Sequence, residues 1–132
     1  MAEISTLTDT NWYFGLSFNE SAVTSRSDNI PLAATQAQSI LGDKLLGLQL
    51  SNEPDLYVDH QKRQQGYNVQ SYVDEFSAIK SDILERGTIA NEQFLVGPSV
   101  CCNVYGFETY DVFDAGFVDT NIDNLAALTV QQ

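Results

Sequence analysis

Short, nearly continuous apolar runs alternate along this chain with stretches whose apolar residues recur at helical spacing. Residues 12–18, Trp-Tyr-Phe-Gly-Leu-Ser-Phe, are aromatic-rich and predict a buried strand that ends at polar Asn19-Glu20-Ser21. Pro31 stands where a first helical position would be. Leu32, Ala33, Gln36, Ala37, Ile40 and Leu41 follow at helical spacing, and Gly42 is the expected stop. Residues 45–50 predict a second strand, halted at Ser51-Asn52-Glu53-Pro54, and a polar loop then runs from Asp55 to about Gly66. The clearest helix comes next. Asn68 or Ser71 can cap it, Tyr72, Val73, Phe76, Ile79, Ile83 and Leu84 form its apolar stripe, and Gly87 ends it. Residues 94–96 predict a short strand closed by Gly97-Pro98-Ser99. Residues 109–115 carry a weaker helical pattern, and 125–130 read as a last strand.

The predicted order is β-α-β-α-β-α-β. Strands apolar on both faces and separated by helices imply parallel pairing with helices packed outside. Two architectures satisfy that pattern, a small doubly wound sheet or consecutive units of a (β/α)₈ barrel. In either, functional groups gather at the carboxyl edge of the sheet, where strands end and loops begin.

At 132 residues and 43% apolar, the chain has the size and hydrophobicity of one folded domain and not of a disordered acidic tail. Eighteen acidic against six basic residues give a net charge of −12, which argues against partners that present phosphates, nucleic acid and anionic membranes alike. The start of the chain lacks the basic and apolar segments of a signal peptide, and no apolar run approaches a membrane span. The two cysteines, Cys101 and Cys102, are adjacent. Neighbours do not easily reach ordinary disulfide geometry with each other, so buried or passive thiols are expected.

Among the strand ends, Asn52-Glu53 carries the most chemistry. A glutamate at a buried strand end is partly desolvated, which favours its protonated form, as a general acid requires. An adjacent amide can donate to or accept from a sugar hydroxyl. Competing motifs fail. Asp119 to Asp123 begins like a calcium loop, but Asn124 and Val130 stand where glycine and glutamate are needed. His60 has no second histidine to share a zinc, so no metal is expected. No glycine-rich phosphate loop follows any strand, and Ser99 lacks a nucleophile elbow, so no nucleotide cofactor is expected either.

The run Leu-Leu-Gly-Leu-Gln-Leu-Ser-Asn-Glu-Pro-Asp-Leu-Tyr at 45–57 resembles the strand-4 signature of glycoside hydrolase family 79, the β-glucuronidase-like retaining glycosidases. Residues 12–21 resemble that family's third strand, and Ile40-Leu41-Gly42-Asp43 the helix end before its fourth. Leu95-Val96-Gly97-Pro98-Ser99 resembles strand 5, and 125–131 strand 6. Ser51 departs from the family's usual glycine and Ser17 from its usual proline. The resemblance implies an α/β fold, a partial (β/α)₈ TIM barrel of roughly strands 3 to 6. Residues 1–132 would then be one piece of a catalytic barrel, truncated at both ends. It implies Glu53 as the acid/base and Asn52, with Asn19 and Tyr57, as residues against a glucuronide-type carbohydrate substrate. The nucleophile would lie on a seventh strand outside these residues, the isolated chain would be inert, and the full-length protein would be extracellular. The competing expectation is a self-contained acidic α/β binding or interaction module without catalysis.

Overall fold

A computed structural model describes residues 2–18 and 29–131. The elements in chain order are helix α1 (Ala2–Thr8), strand β1 (Trp12–Gly15), helix α2 (Asn29–Leu41), strand β2 (Leu45–Gln49), helix α3 (Val69–Arg86) and strand β3 (Leu95–Val100). The short helices α4 (Thr109–Asp114) and α5 (Phe117–Asn121) precede strand β4 (Leu125–Val130). The chain is therefore α/β, and the four strands among the described residues form one sheet in the order β1-β2-β3-β4, every neighbouring pair parallel.

That order contains no reversal. Each crossover steps to the next strand in the same direction, and parallel crossovers share one hand, so the connecting helices fall on one face. Accordingly α2 packs against α3, and α3 against both α4 and α5. A doubly wound sheet needs a point where the strand order turns back, and these four strands contain none.

Helix α3 shows how the sequence sets these elements. Asn68 accepts a bond from the Ser71 N–H, satisfying one of the orphan donors of the first turn, and Gly87 closes the helix at φ +59°. Its stripe buries Tyr72, Val73, Phe76, Ile79 and Ile83, whereas Leu84, expected in that stripe, is exposed. Tyr72 and Phe76 meet Phe117 from α5. Phe76 and Phe117 stand edge to face with ring centroids 4.7 Å apart, and Phe18 and Phe107 complete the cluster.

Strand β3 is buried along its whole length. It does not close at Gly97-Pro98-Ser99, as the sequence predicts, but runs through a cis Gly97–Pro98 bond to Val100. Gly97 is required there by packing. A Cβ on it would fall 3.1 Å from both Phe76 and Phe117. Gly47 has the same role in β2, where a Cβ would come within 2.9 Å of Val96 Cγ2. Strand β4 alternates instead, leaving Leu128 and Val130 exposed beyond the reach of the helix layer. Two short helices went unread in the hydrophobic pattern. Helix α1 is tied to β1 by the Trp12 indole N–H, which donates to the buried Ser5 hydroxyl, and α5 is inserted between α4 and β4. No helix among the described residues is long and apolar enough to cross a membrane.

Candidate functional site

Because the four strands run the same way, the ends of β1 and β4 and the loops following β2 and β3 converge at one edge. Two buried hydroxyls hold the ends of β2 and β3 together. Tyr72 reaches up from α3 and donates to the Pro98 carbonyl at 2.9 Å, while its oxygen lies 2.8 Å from Ser51 Oγ. Ser51 is fully buried and also sits 3.2 Å from the Pro98 carbonyl, so its hydroxyl adds a second contact to the pair that Tyr72 and Pro98 make.

Glu53 follows directly. Its backbone is left-handed, φ +52° and ψ +56°, and its N–H donates to the Ser99 carbonyl at 3.0 Å. A non-glycine residue in that region costs about 1–3 kcal/mol and persists only where its surroundings fix it. Here the surroundings are the β3 end and the 3₁₀ turn Pro54–Leu56, which begins one residue later. The side chain is half-buried, and among the described residues its carboxylate has no hydrogen-bond or ion-pair partner.

Asn52 is exposed, and its Oδ1 accepts from Gln131 Nε2 at 2.6 Å and, more loosely, from Gln49 Nε2 at 3.4 Å. With the carbonyl oxygen occupied, the amide Nδ2 remains to donate outward. Gln131 was not singled out in the sequence, since nothing local marks a glutamine just past a strand as a neighbour of a residue 79 positions earlier. Tyr57 is buried beneath this turn. The Asn52 N–H approaches its hydroxyl at 3.4 Å, and burial pushes the phenol up to about 12. Asn52 and Tyr57, with Gly15, Phe18, Gln49 and Lys62, line a cavity of about 230 Å³ between the ends of β1 and β2. Asn19, the fourth expected site residue, lies outside the described residues.

The loop between β2 and α3 looks merely polar in sequence, yet it is pinned from beneath. Arg63 is only 7% exposed. Its Nε and Nη2 donate to both oxygens of Glu75 on α3, at 3.0 and 3.1 Å, and the Tyr67 hydroxyl donates to the same carboxylate at 2.8 Å. The guanidinium also lies 5.2 Å from the Tyr57 ring centroid and 5.4 Å from that of Tyr67. Burial, then the Glu75 charge, raises the Tyr67 phenol strongly.

Beyond Val100 the structure departs from the expected passive thiols. Cys101 and Cys102 are joined in a disulfide, Cys101 half-buried and Cys102 exposed. Both of their backbone N–H groups donate to the carboxylate of Asp55, at 3.2 and 2.9 Å, which holds the intervening peptide against the β2 turn. Asp55 is 5% exposed, a buried charge stabilised by these amides. Asp55, Cys101 and Cys102 form the one group of potential metal ligands among the described residues, but sulfurs bonded to each other are not thiolates and cannot ligate as such.

Among the described residues, the edge of the sheet thus offers a carboxylate and an amide donor without partners, beside a small polar cavity. That set can donate and accept a proton beside a polyhydroxylated ligand. Comparison with protein-family models and with the curated proteins finds no match for this chain.

Proposed function

We propose that this chain is part of a retaining O-glycosidase, four consecutive βα units of a (β/α)₈ barrel, with Glu53 as its acid/base. The observation that carries the reading is the position of Glu53. Its carboxylate, without a partner among the described residues, stands at the carboxyl edge of a parallel sheet whose strand order never reverses, the edge at which such barrels carry their chemistry. The resemblance of residues 45–57 to the strand-4 signature of family 79 supports the same assignment and supplies the preference for β-glucuronides.

In this reading Glu53 protonates the departing oxygen while a second carboxylate, about 5–5.5 Å away, attacks the anomeric carbon. Glu53 then takes a proton from the water that releases the sugar. Asn52, its oxygen held by Gln131, donates through Nδ2 to a hydroxyl of the ring beside the breaking bond. The second carboxylate belongs to a later strand, outside these 132 residues.

The test is kinetic. The 132-residue chain alone should not hydrolyse an aryl β-glucuronide. Placed in a barrel that continues through a seventh strand, it should do so, and Glu53→Gln should then lower turnover of glycosides with poor leaving groups by about 10²–10⁴-fold. Activated aryl glycosides, which need little proton donation, should lose far less. Equal losses on both substrate classes, or none, would remove Glu53 from the acid/base role. No hydrolysis in any extended protein would favour an acidic α/β interaction module.

A further inference from the structure

We propose that Cys101–Cys102 is a two-electron redox site that exchanges with a dithiol, and that Asp55 transmits its state to the turn carrying Glu53. Three observations carry this. The disulfide lies at the open edge of the sheet with Cys102 exposed, so a solvent thiol reaches it without unfolding the core. The amides of both cysteines converge on one buried carboxylate. Asp55 is two residues from Glu53, whose own N–H is bonded to Ser99, two residues before Cys101. The β2 turn and the β3 exit are therefore fastened at two points, and the disulfide closes the second.

The exchange balances as follows. A thiolate of the reductant attacks Cys102 Sγ, forming a mixed disulfide while the bond to Cys101 breaks. Cys101 leaves with the electron pair and takes a proton. The reductant's second thiol attacks its own bound sulfur, closes a disulfide and releases Cys102, which is protonated in turn. Two electrons and two protons pass from the dithiol to the cysteine pair. In the oxidised state Cys101 Sγ has no proton and stands 3.6 Å from Asp55 Oδ2. In the reduced state it gains an S–H that competes with the Cys102 amide for that oxygen, and the peptide between the cysteines is no longer closed into a ring. The redox site stands on its own residues, while a consequence for catalysis rests on the glycosidase reading.

Two measurements on the 132-residue chain decide it. Alkylation with iodoacetamide under denaturing conditions should modify neither cysteine of the untreated protein, and both after dithiothreitol is applied to the folded protein. Free thiols without reductant, or reduction that occurs only when the chain unfolds, overturns the proposal. Amide hydrogen exchange should then show Cys101, Cys102 and Glu53 exchanging roughly tenfold or more faster in the reduced, still folded protein. Asp55→Asn, which replaces one acceptor oxygen by a donor, should speed the Glu53 amide with the disulfide intact. The Cys101→Ser, Cys102→Ser double variant should reproduce the reduced state. A Glu53 amide indifferent to reduction and to both variants would sever the link, whatever the fate of the glycosidase assignment.

Discussion

Arg63→Ala is the sharpest perturbation of the platform beneath the site. The guanidinium is held by three bonds to Glu75 and one to the Lys62 carbonyl at 2.7 Å, with its side chain 5% exposed and that of Glu75 19% exposed. Removing it leaves a carboxylate in a poorly solvated position with only the Tyr67 hydroxyl as a charge-stabilising donor. Breaking a buried pair from one side costs about 3–5 kcal/mol, mostly through the stranded charge, and the lost cation–π contacts with Tyr57 and Tyr67 act in the same direction. Against a total stability of about 5–15 kcal/mol for a domain, that is a large fraction. Urea unfolding followed by circular dichroism should show a lower midpoint at unchanged slope. Arg63→Met combined with Glu75→Leu should recover much of the loss, because no charge is left behind. A cost for Arg63→Ala of about 1 kcal/mol or less, the range of exposed pairs, would refute the reasoning and leave the loop without its anchor.

Three further outcomes follow from the packing. Burial raises the Tyr57 phenol to about 12, and raises Tyr67 and Tyr72 further, above the ordinary value of 10 that the unfolded chain keeps. The fold therefore favours the protonated phenols. Their stabilisation is complete below about pH 10 and falls above it with a slope of about 1.4 kcal/mol per pH unit for each phenol, the Tyr57 contribution being lost by about pH 12 and those of Tyr67 and Tyr72 only at higher pH. A urea midpoint that stays flat across that window would contradict it. Gly47→Ala should destabilise by about 1–3 kcal/mol, since the new Cβ meets Val96 Cγ2 at 2.9 Å and the Phe94 carbonyl at 3.0 Å. Gly15→Ala, with nothing within 4 Å, should stay within about 0.5 kcal/mol when both variants are compared by urea unfolding. Tyr72→Phe should cost about 1 kcal/mol in urea, because the Ser51 hydroxyl can turn to the Pro98 carbonyl that Tyr72 leaves. A loss as large as that of Arg63→Ala would mean Ser51 cannot make that turn.

What the sequence made legible is what repeats at short range. The stripe of α3, its Asn68 cap and Gly87 stop are periodic or punctuated features, and the β4 bounds follow from a six-residue apolar run between polar neighbours. Glu53 was also legible, as a charged residue at the end of such a run. What stayed hidden depends on residues far apart in the chain. Arg63 looks like one more charge in a polar loop until α3 presents Glu75 twelve positions later, and Gln131 matters only because β3 separates β2 from β4 by one strand. Gly97-Pro98 reads as a terminator by local rules, yet β3 continues through it because β4 pairs alongside Gly97, Pro98 and Val100.

Asp55 shows most clearly where local reading ends. In sequence it is an unremarkable acid beside Pro54, and the adjacent cysteines read as thiols because neighbours pair poorly in isolation. Tertiary structure changes both conclusions together. Asp55 is buried at the β2 turn and needs donors, and the donors within reach are the amides of Cys101 and Cys102. Satisfying the carboxylate holds the peptide between the cysteines against it, in the same loop whose two sulfurs are joined. The same two amides make the β2 turn depend on the β3 exit. The backbone geometry of Glu53 is thus fixed by the next loop as well as by its own strand, through Ser99 on one side and Asp55 on the other.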